Sequence, residues 1–300
     1  MTTWPWSRHR SASRTPSGDP ASVLRANPVL LLAGPPADVM VNRLLRGWNP
    51  SAELGGPGNS HRIAAGVRWV GPFRLDAVGA AEAGLPLGWS TAYAAQAVRS
   101  RLRVPDGLAA AEMRERFPHG MPVGAEAVAW SLVTGLARRL DGATRLPADV
   151  RSRRAVAKAA KNVVAQRPEP RQNTYCVYGN KALPWPVLRS LLALGLPELD
   201  LNGALAVDDY CLDRPDSFEA RVEPFRDGDF LPYALRPHAV SGWPCTVYRF
   251  RCLPQATKTD VARIDVQLRA AAYELADVVG GVLLDGEGFP VITELARQRR

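Results

Sequence analysis

Apolar residues recur along this chain with two periods, two and nearly four, and the switches between them mark its elements. The pattern is clearest in the second half. Residues 174–178 (TYCVY) form a continuous apolar run that predicts a buried strand. Residues 184–196 begin with proline and place Val187, Leu188, Leu191 and Leu192 on one side, which predicts a helix. Proline suits a first turn because that N–H has no helical partner. Residues 203–212 and 218–225 predict a hairpin around Asp213-Arg214-Pro215-Asp216, with Phe218, Ala220 and Val222 alternating with charged residues. That alternation suits a sheet with one wet face. Residues 246–252 (TVYRFRC) alternate again. A long helix is predicted over 257–279, with Thr257 or Thr259 as N-cap and a buried stripe of Val261, Ile264, Leu268, Ala271, Ala272 and Leu275. A last hairpin turns at Asp285-Gly286-Glu287-Gly288, where Asp-Gly supplies the positive φ of a tight turn.

The order β-α-β-β-(β)-α-β predicts an α+β unit of the ferredoxin-like, split βαβ kind: an antiparallel sheet with two helices on one face. The first half opens in the same way. Residues 28–35 predict a buried strand, and 37–48, with Val39, Val41, Leu44 and Leu45, a helix. Residues 63–70 read as a strand, and 90–103, 106–117 and 123–140 as helices, so this half is expected to be a helix-rich version of the plan. The two halves also share a pattern. Residues 125–147 align with 269–290 through an aromatic (Trp130, Tyr273), a leucine (Leu132, Leu275), an LDG triplet (140–142, 284–286) and a proline (Pro147, Pro290). An internal duplication of a ferredoxin-like half is therefore expected.

The composition changes at two places. Residues 1–20 are rich in Ser, Arg, Pro and Thr and have little to bury, which predicts a disordered tail, although Trp4 and Trp6 are unusual in one. Residues 151–172 shift to Arg, Ala and Lys and end in Gln166-Arg167-Pro168-Glu169-Pro170-Arg171, which stops a helix. The expected organisation is a tail (1–20), a first, helix-rich α+β domain (21–150), a basic linker helix (151–172) and a second, ferredoxin-like α+β domain (173–300).

Charge sharpens this division. Lys plus Arg exceeds Asp plus Glu by nine, 38 against 29. Four arginines against Asp19 in residues 1–25, and seven basic residues against Glu169 in 151–171, account for the whole excess, so the rest of the chain is neutral. Attraction to polyanions should then be local. On a helix, Arg151, Arg154, Lys158 and Lys161 share one side, with Val156, Ala159, Ala160 and Val163 opposite. These four cations are the candidate anion- or partner-binding residues.

Other chemistries find little support. The four cysteines, Cys176, Cys211, Cys245 and Cys252, form no CxxC pair and have no histidine at metal-ligand spacing. They read as reduced thiols, three of them in strand-like runs, and no metal or cofactor is expected. The apolar run 29–33 is too short for an export signal, and no stretch approaches the ~20 apolar residues of a membrane span, so a cytoplasmic location is expected. The LLLAGPPADV segment has the strand–turn–helix order of a phosphate cradle but lacks GK[ST], and Pro35 and Pro36 remove N–H groups it would use. Asp208, Asp209, Asp213, Asp285 and Glu287 read as turn residues rather than a metal pair, and His238 and Cys245 as an unrelated loop residue and thiol. Trp69, Phe73, Trp89, Trp185 and Trp243 lie beside Gly or Pro and read as wedges at strand ends, or as the lining of a groove between the halves.

The function expected is a non-enzymatic binding or scaffold module that engages a protein partner through the inter-domain cleft or the basic linker, with no catalytic residues assigned. Two alternatives remain: an enzyme acting on a small acidic or phosphorylated substrate in that cleft, and non-specific nucleic-acid binding through the basic linker.

Overall fold

The structure, a computed structural model, describes residues 19–34, 38–54, 60–104, 119–145, 174–195, 210–214, 218–226, 231–239, 243–244, 246–252 and 258–291. The tail as far as residue 18 and the whole linker, with Arg151, Arg154, Lys158 and Lys161, lie outside these residues, as do Trp4, Trp6 and the predicted helix 106–117.

Two five-stranded antiparallel sheets organise the chain. The first contains β1 (Val29–Leu32), β2 (Ser60–Ala64), β3 (Val67–Arg74), β4 (Thr91–Ala97) and β7 (Ala143–Arg145), in the order β2-β3-β4-β1-β7. A two-stranded ribbon, β5 (Arg101–Leu102) and β6 (Met121–Pro122), stands apart from it. The second sheet contains β8 (Thr174–Gly179), β9 (Tyr210–Arg214), β10 (Phe218–Pro224), β11 (Thr246–Cys252) and β12 (Val282–Asp285), in the order β12-β8-β11-β10-β9. The helices are α1 (Pro20–Ala26), α2 (Asp38–Trp48), α3 (Ala77–Glu82), α4 (Gly124–Arg139), α5 (Trp185–Gly195) and α6 (Lys258–Val279). A 3-10 helix spans Tyr233–His238.

Both sheets follow one strand order. Taking β1, β2, β3, β4 and β7 in turn with β8, β9, β10, β11 and β12, every neighbour and every direction agrees. The helix after the first strand (α2, α5) and the helix before the last (α4, α6) pack on the same side of their sheet. In the first half this core includes Leu30, Val41, Leu45, Leu132 and Leu136; in the second, Val177, Leu188, Leu192, Leu268 and Leu275. The opposite face of the first sheet is covered by α1 and α3 through Leu24, Ala80 and Ala83 against Val29, Leu31 and Ala94.

Three expectations from the sequence are corrected here. Residues 90–103 are not a helix: Thr91–Ala97 is the middle strand of the first sheet and Arg101–Leu102 belongs to the ribbon. Alanine favours helices intrinsically, and β4 is buried on both faces, so its sequence lacks the polar alternation that marks a strand. Ala92 and Ala94 face α1 and α3, while Tyr93 and Ala95 face α2 and α4. Residues 63–70 are not one strand but the end of β2 and the start of β3, joined through Gly66 at φ 75°. Finally, Asp19 and Pro20, assigned to the tail, cap and begin α1; the Asp19 carboxylate accepts from the N–H groups of Ala21 and Ser22.

The helix ends of the two halves also line up differently from the alignment read in the sequence. Leu140-Asp141-Gly142 ends α4, with Asp141 at φ 48° and the Gly142 N–H donating to Ala137 at 2.9 Å. The matching cap in the second half is Gly280-Gly281, with Gly280 at φ 57° and the Gly281 N–H donating to Ala276 at 2.8 Å. Leu284-Asp285-Gly286 instead ends β12 and enters the hairpin turn that follows it. A Cβ on Gly142 would stand 2.7 Å from the Leu31 carbonyl, and one on Gly281 2.7 Å from that of Tyr178, so the same close approach demands glycine twice.

Candidate functional site

A cavity of about 740 Å³ lies between the two sheets. One wall is the helix-free face of the second sheet. Side chains two residues apart on a strand share a face, so Thr174, Cys176 and Tyr178 of β8 and Arg249 and Arg251 of β11 look into the cavity together. The 3-10 helix covers the β12 side of that face through Ala234 and Leu235 against Leu284. The opposite wall is the first two turns of α4, from Gly124 to Ser131. Trp48 and Tyr233 close one end, with ring centroids 4.9 Å apart. The hairpin turn Asp285–Gly288 forms the rim.

That turn also joins the halves. The Trp48 Nε1–H donates to the Glu287 carbonyl at 3.0 Å. Glu287 pairs with Arg138, and Asp285 with Arg139, both from the end of α4. The other Asp285 oxygen accepts from the N–H groups of Glu287 and Phe289 at 3.1 and 2.9 Å. The Phe289 ring is buried in the core of the first half, beneath the Arg139 guanidinium at 4.0 Å. Tyr233 enters the same core. Two aromatic side chains from the second half of the sequence thus complete the interior of the first.

The electrostatics of the cavity follow from burial and pairing. The acidic rim is committed to Arg138 and Arg139. Burial lowers the Arg139 guanidinium to about 10, and Glu287 opposes that shift. On the sheet wall, Arg249 is half-exposed and shares Glu223 with Arg221, at 3.5 and 3.3 Å. Burial pushes the Cys176 thiol up, and the neighbouring Arg249, which also hydrogen-bonds it, opposes the shift. The Tyr178 phenol is raised, again chiefly by burial. Both groups are therefore neutral near pH 7. Chemically the cavity combines a flat aromatic end, a small-residue helix wall and two arginines on one strand.

The residues singled out from the sequence fall in several places. Asp285 and Glu287 are at the cavity rim, as ion-pair partners of arginine rather than as a metal pair. No group of three His, Cys, Asp or Glu that could hold a metal occurs among the described residues. Asp208, Asp209 and Cys245 lie outside the described residues. Cys176 and Cys252 are buried and not joined in a disulfide. A groove between the halves exists, but none of the five tryptophan and phenylalanine residues expected there lines it. Trp69 is in the first core, Phe73 and Trp89 pack beside α1 and α3, Trp185 packs on the second core, and Trp243 packs beside the 3-10 helix. Arg249 and Arg251 were missed because R-F-R inside an alternating strand reads as an ordinary wet face; only the approach of α4 turns that face into a wall.

No helix among the described residues is long and apolar enough to cross a membrane. No family model, no curated protein and no solved structure matches the chain.

Proposed function

We propose that this chain is a binding protein, built from two copies of one ferredoxin-like unit, that holds a segment of a protein partner in the cavity between them. The units correspond to residues 21–150 and 173–300, with a tail before them and the basic segment 151–172 between. Three matches support the duplication. Thr91-Ala92-Tyr93 and Thr246-Val247-Tyr248 occupy the same register against β1 and β8. The buried stripes Ala129, Leu132, Val133, Leu136, Ala137 and Leu268, Ala271, Ala272, Leu275, Ala276 coincide when the helix caps are superposed. The glycines at 142 and 281 meet equivalent carbonyls.

The observation that carries the binding role is the cavity itself. Its volume falls in the range of ligand sites, and its mixture of aromatic, small and cationic side chains is that of a recognition surface. Arginine and the aromatic residues are the side chains that most often dominate protein–protein binding. An enzyme acting on a small acidic substrate in the same cavity is the competing reading. Its support is the two arginines, while the neutral Cys176 and Tyr178 give it no activated nucleophile or base.

The test fills the cavity. Ser131 is exposed on α4 and lines the wall, so Ser131→Trp should block the space without disturbing a core. Affinity purification from the source cells should recover a defined partner with the native chain and lose it with the variant. Recovery of the same partner by both proteins would overturn the proposal. Retention of nucleic acid that falls steeply with salt, and vanishes when Arg151, Arg154, Lys158 and Lys161 are replaced, would favour the basic segment instead.

A further inference from the structure

We infer that the segment held in this cavity is acidic and extended, with carboxylates on alternate residues and an apolar or aromatic residue beyond them. This rests on the reading of the cavity as a binding site and adds the class of partner it takes.

The argument begins with spacing. Arg249 and Arg251 stand two apart on β11 and line the cavity from one face. Alternate residues of a strand repeat at about 6.8 Å. An extended peptide repeats at the same interval, so carboxylates at its positions i and i+2 meet both guanidiniums at once. Adjacent acids do not keep that spacing, and a helix turns alternate residues to different sides. Guanidinium also suits carboxylate better than an ammonium would, because its donors form a planar fork.

The acidic groups nearby do not cancel this wall. Asp285 and Glu287 face the cavity, but each is held by an arginine of α4, and both carboxylates are largely buried. On the sheet, Glu219 stands opposite Arg251 in the strand register, and Glu223, partly buried, serves both Arg221 and Arg249, whose guanidiniums are half-exposed to solvent. An exposed pair of this kind is weak and readily exchanged for a ligand carboxylate. The α4 N-terminus lies across the cavity; its cap residue Val123 offers no side-chain acceptor, and its first-turn Glu126 is taken up by Arg101 and the Ser100 N–H. Beyond the arginines, Trp48 and Tyr233 present an aromatic end that suits a flat or branched apolar side chain.

The experiment measures fluorescence anisotropy of labelled pentapeptides on the full chain. The probes are Glu-Ala-Glu-Ala-Trp, its Gln-Ala-Gln-Ala-Trp analogue and the adjacent-acid Glu-Glu-Ala-Ala-Trp. The alternating acidic peptide should bind saturably, at least about tenfold tighter than either control, and lose about tenfold on Arg249→Gln with Arg251→Gln. Its affinity should fall with added salt and be abolished by Ser131→Trp. Both arginines are exposed, so the double variant should keep the native circular dichroism spectrum. Equal binding of the three peptides, or indifference to the arginine changes, would overturn the acidic class. If such binding is still blocked by Ser131→Trp, the cavity remains a binding site. Absence of binding by every probe would also overturn the acidic class, while partner capture that depends on an open cavity would leave the broader reading standing.

Discussion

The indole of Trp48 donates its Nε1–H to the backbone carbonyl of Glu287, 239 residues further along the chain. This bond sits among contacts that make the two halves interdependent. Phe289 and Tyr233 pack on the same indole, and two ion pairs flank it. The first half does not close its own core.

Removing the Phe289 ring should therefore destabilise the first half although the residue lies in the second. Phe289→Ala is expected to cost about 3–5 kcal/mol, the range for a buried aromatic truncation. Gly135→Ala should act at the same point from the other side, since a Cβ there would meet the Phe289 ring at 2.5 Å. Such overpacking costs about 1–3 kcal/mol. Urea unfolding followed by tryptophan fluorescence would check both. A stability unchanged within error in the two variants would contradict the shared core.

Tyr93 and Tyr248 stand at equivalent points of the two sheets, and each ties down the start of the helix that follows the first strand of its sheet. The Tyr93 hydroxyl donates to the exposed carboxylate of Asp38 at 2.8 Å. The Tyr248 hydroxyl accepts from the Leu183 N–H at 2.8 Å and donates to the Lys181 carbonyl at 3.1 Å. Tyr248→Phe leaves a buried N–H without its acceptor and should cost about 1–3 kcal/mol. Tyr93→Phe frees only a group that water can reach and should cost about 0.5–1.5 kcal/mol. Equilibrium denaturation of the two variants should rank them in that order.

Alkaline pH should separate these tyrosines further. Burial, with the Asp38 hydrogen bond and charge adding to it, raises the Tyr93 phenol above its ordinary 10.0. An acid with a folded pKa above its unfolded value contributes stability that is complete below about pH 10 and drains away as pH rises beyond it. Arg139 and Arg145, both lowered to about 10 chiefly by burial, work in the opposite sense over the same range. The comparison of native chain with Tyr93→Phe cancels them. From about pH 9 to about pH 11 the variant should lose less stability than the native protein; parallel curves would contradict the shift.

The two cores divide their bulk differently across one pair of strands. In the first sheet Trp69 faces Ala95; in the second, Ala220 faces Phe250. Both pairs point into the helix-side core. Trp69→Ala should cost about 3–5 kcal/mol. Adding Ala95→Phe should recover part of that loss by placing the ring where the second half keeps it. A double-mutant cycle would show this as a coupling of at least about 0.5 kcal/mol, and strict additivity would count against the equivalence.

The sequence by itself determined the elements whose burial is one-sided. The stripe from Val261 to Leu275 and the alternation in residues 246–252 each carry a period because one face meets water, and the order of strands and helices in the second half follows from them. Where burial is two-sided the period vanishes. That is why Thr91–Ala97 reads as a helix and why its neighbour in space, Trp69, had to be found in the structure. The likeness of the two halves shows the same division. Slipping one helix against the other by about one turn of 3.6 residues keeps the same stripe facing inward, so the LDG triplets could pair convincingly in the wrong register. Only the carbonyls that crowd Gly142 and Gly281 line up the two helix ends in space. The cavity belongs wholly to tertiary structure: Arg249 and Arg251 lie on a face that polarity marks only as wet, and what makes it a wall is the packing of α4 and the hairpin at 285–288 across it, contacts between residues far apart in the chain that no local pattern encodes.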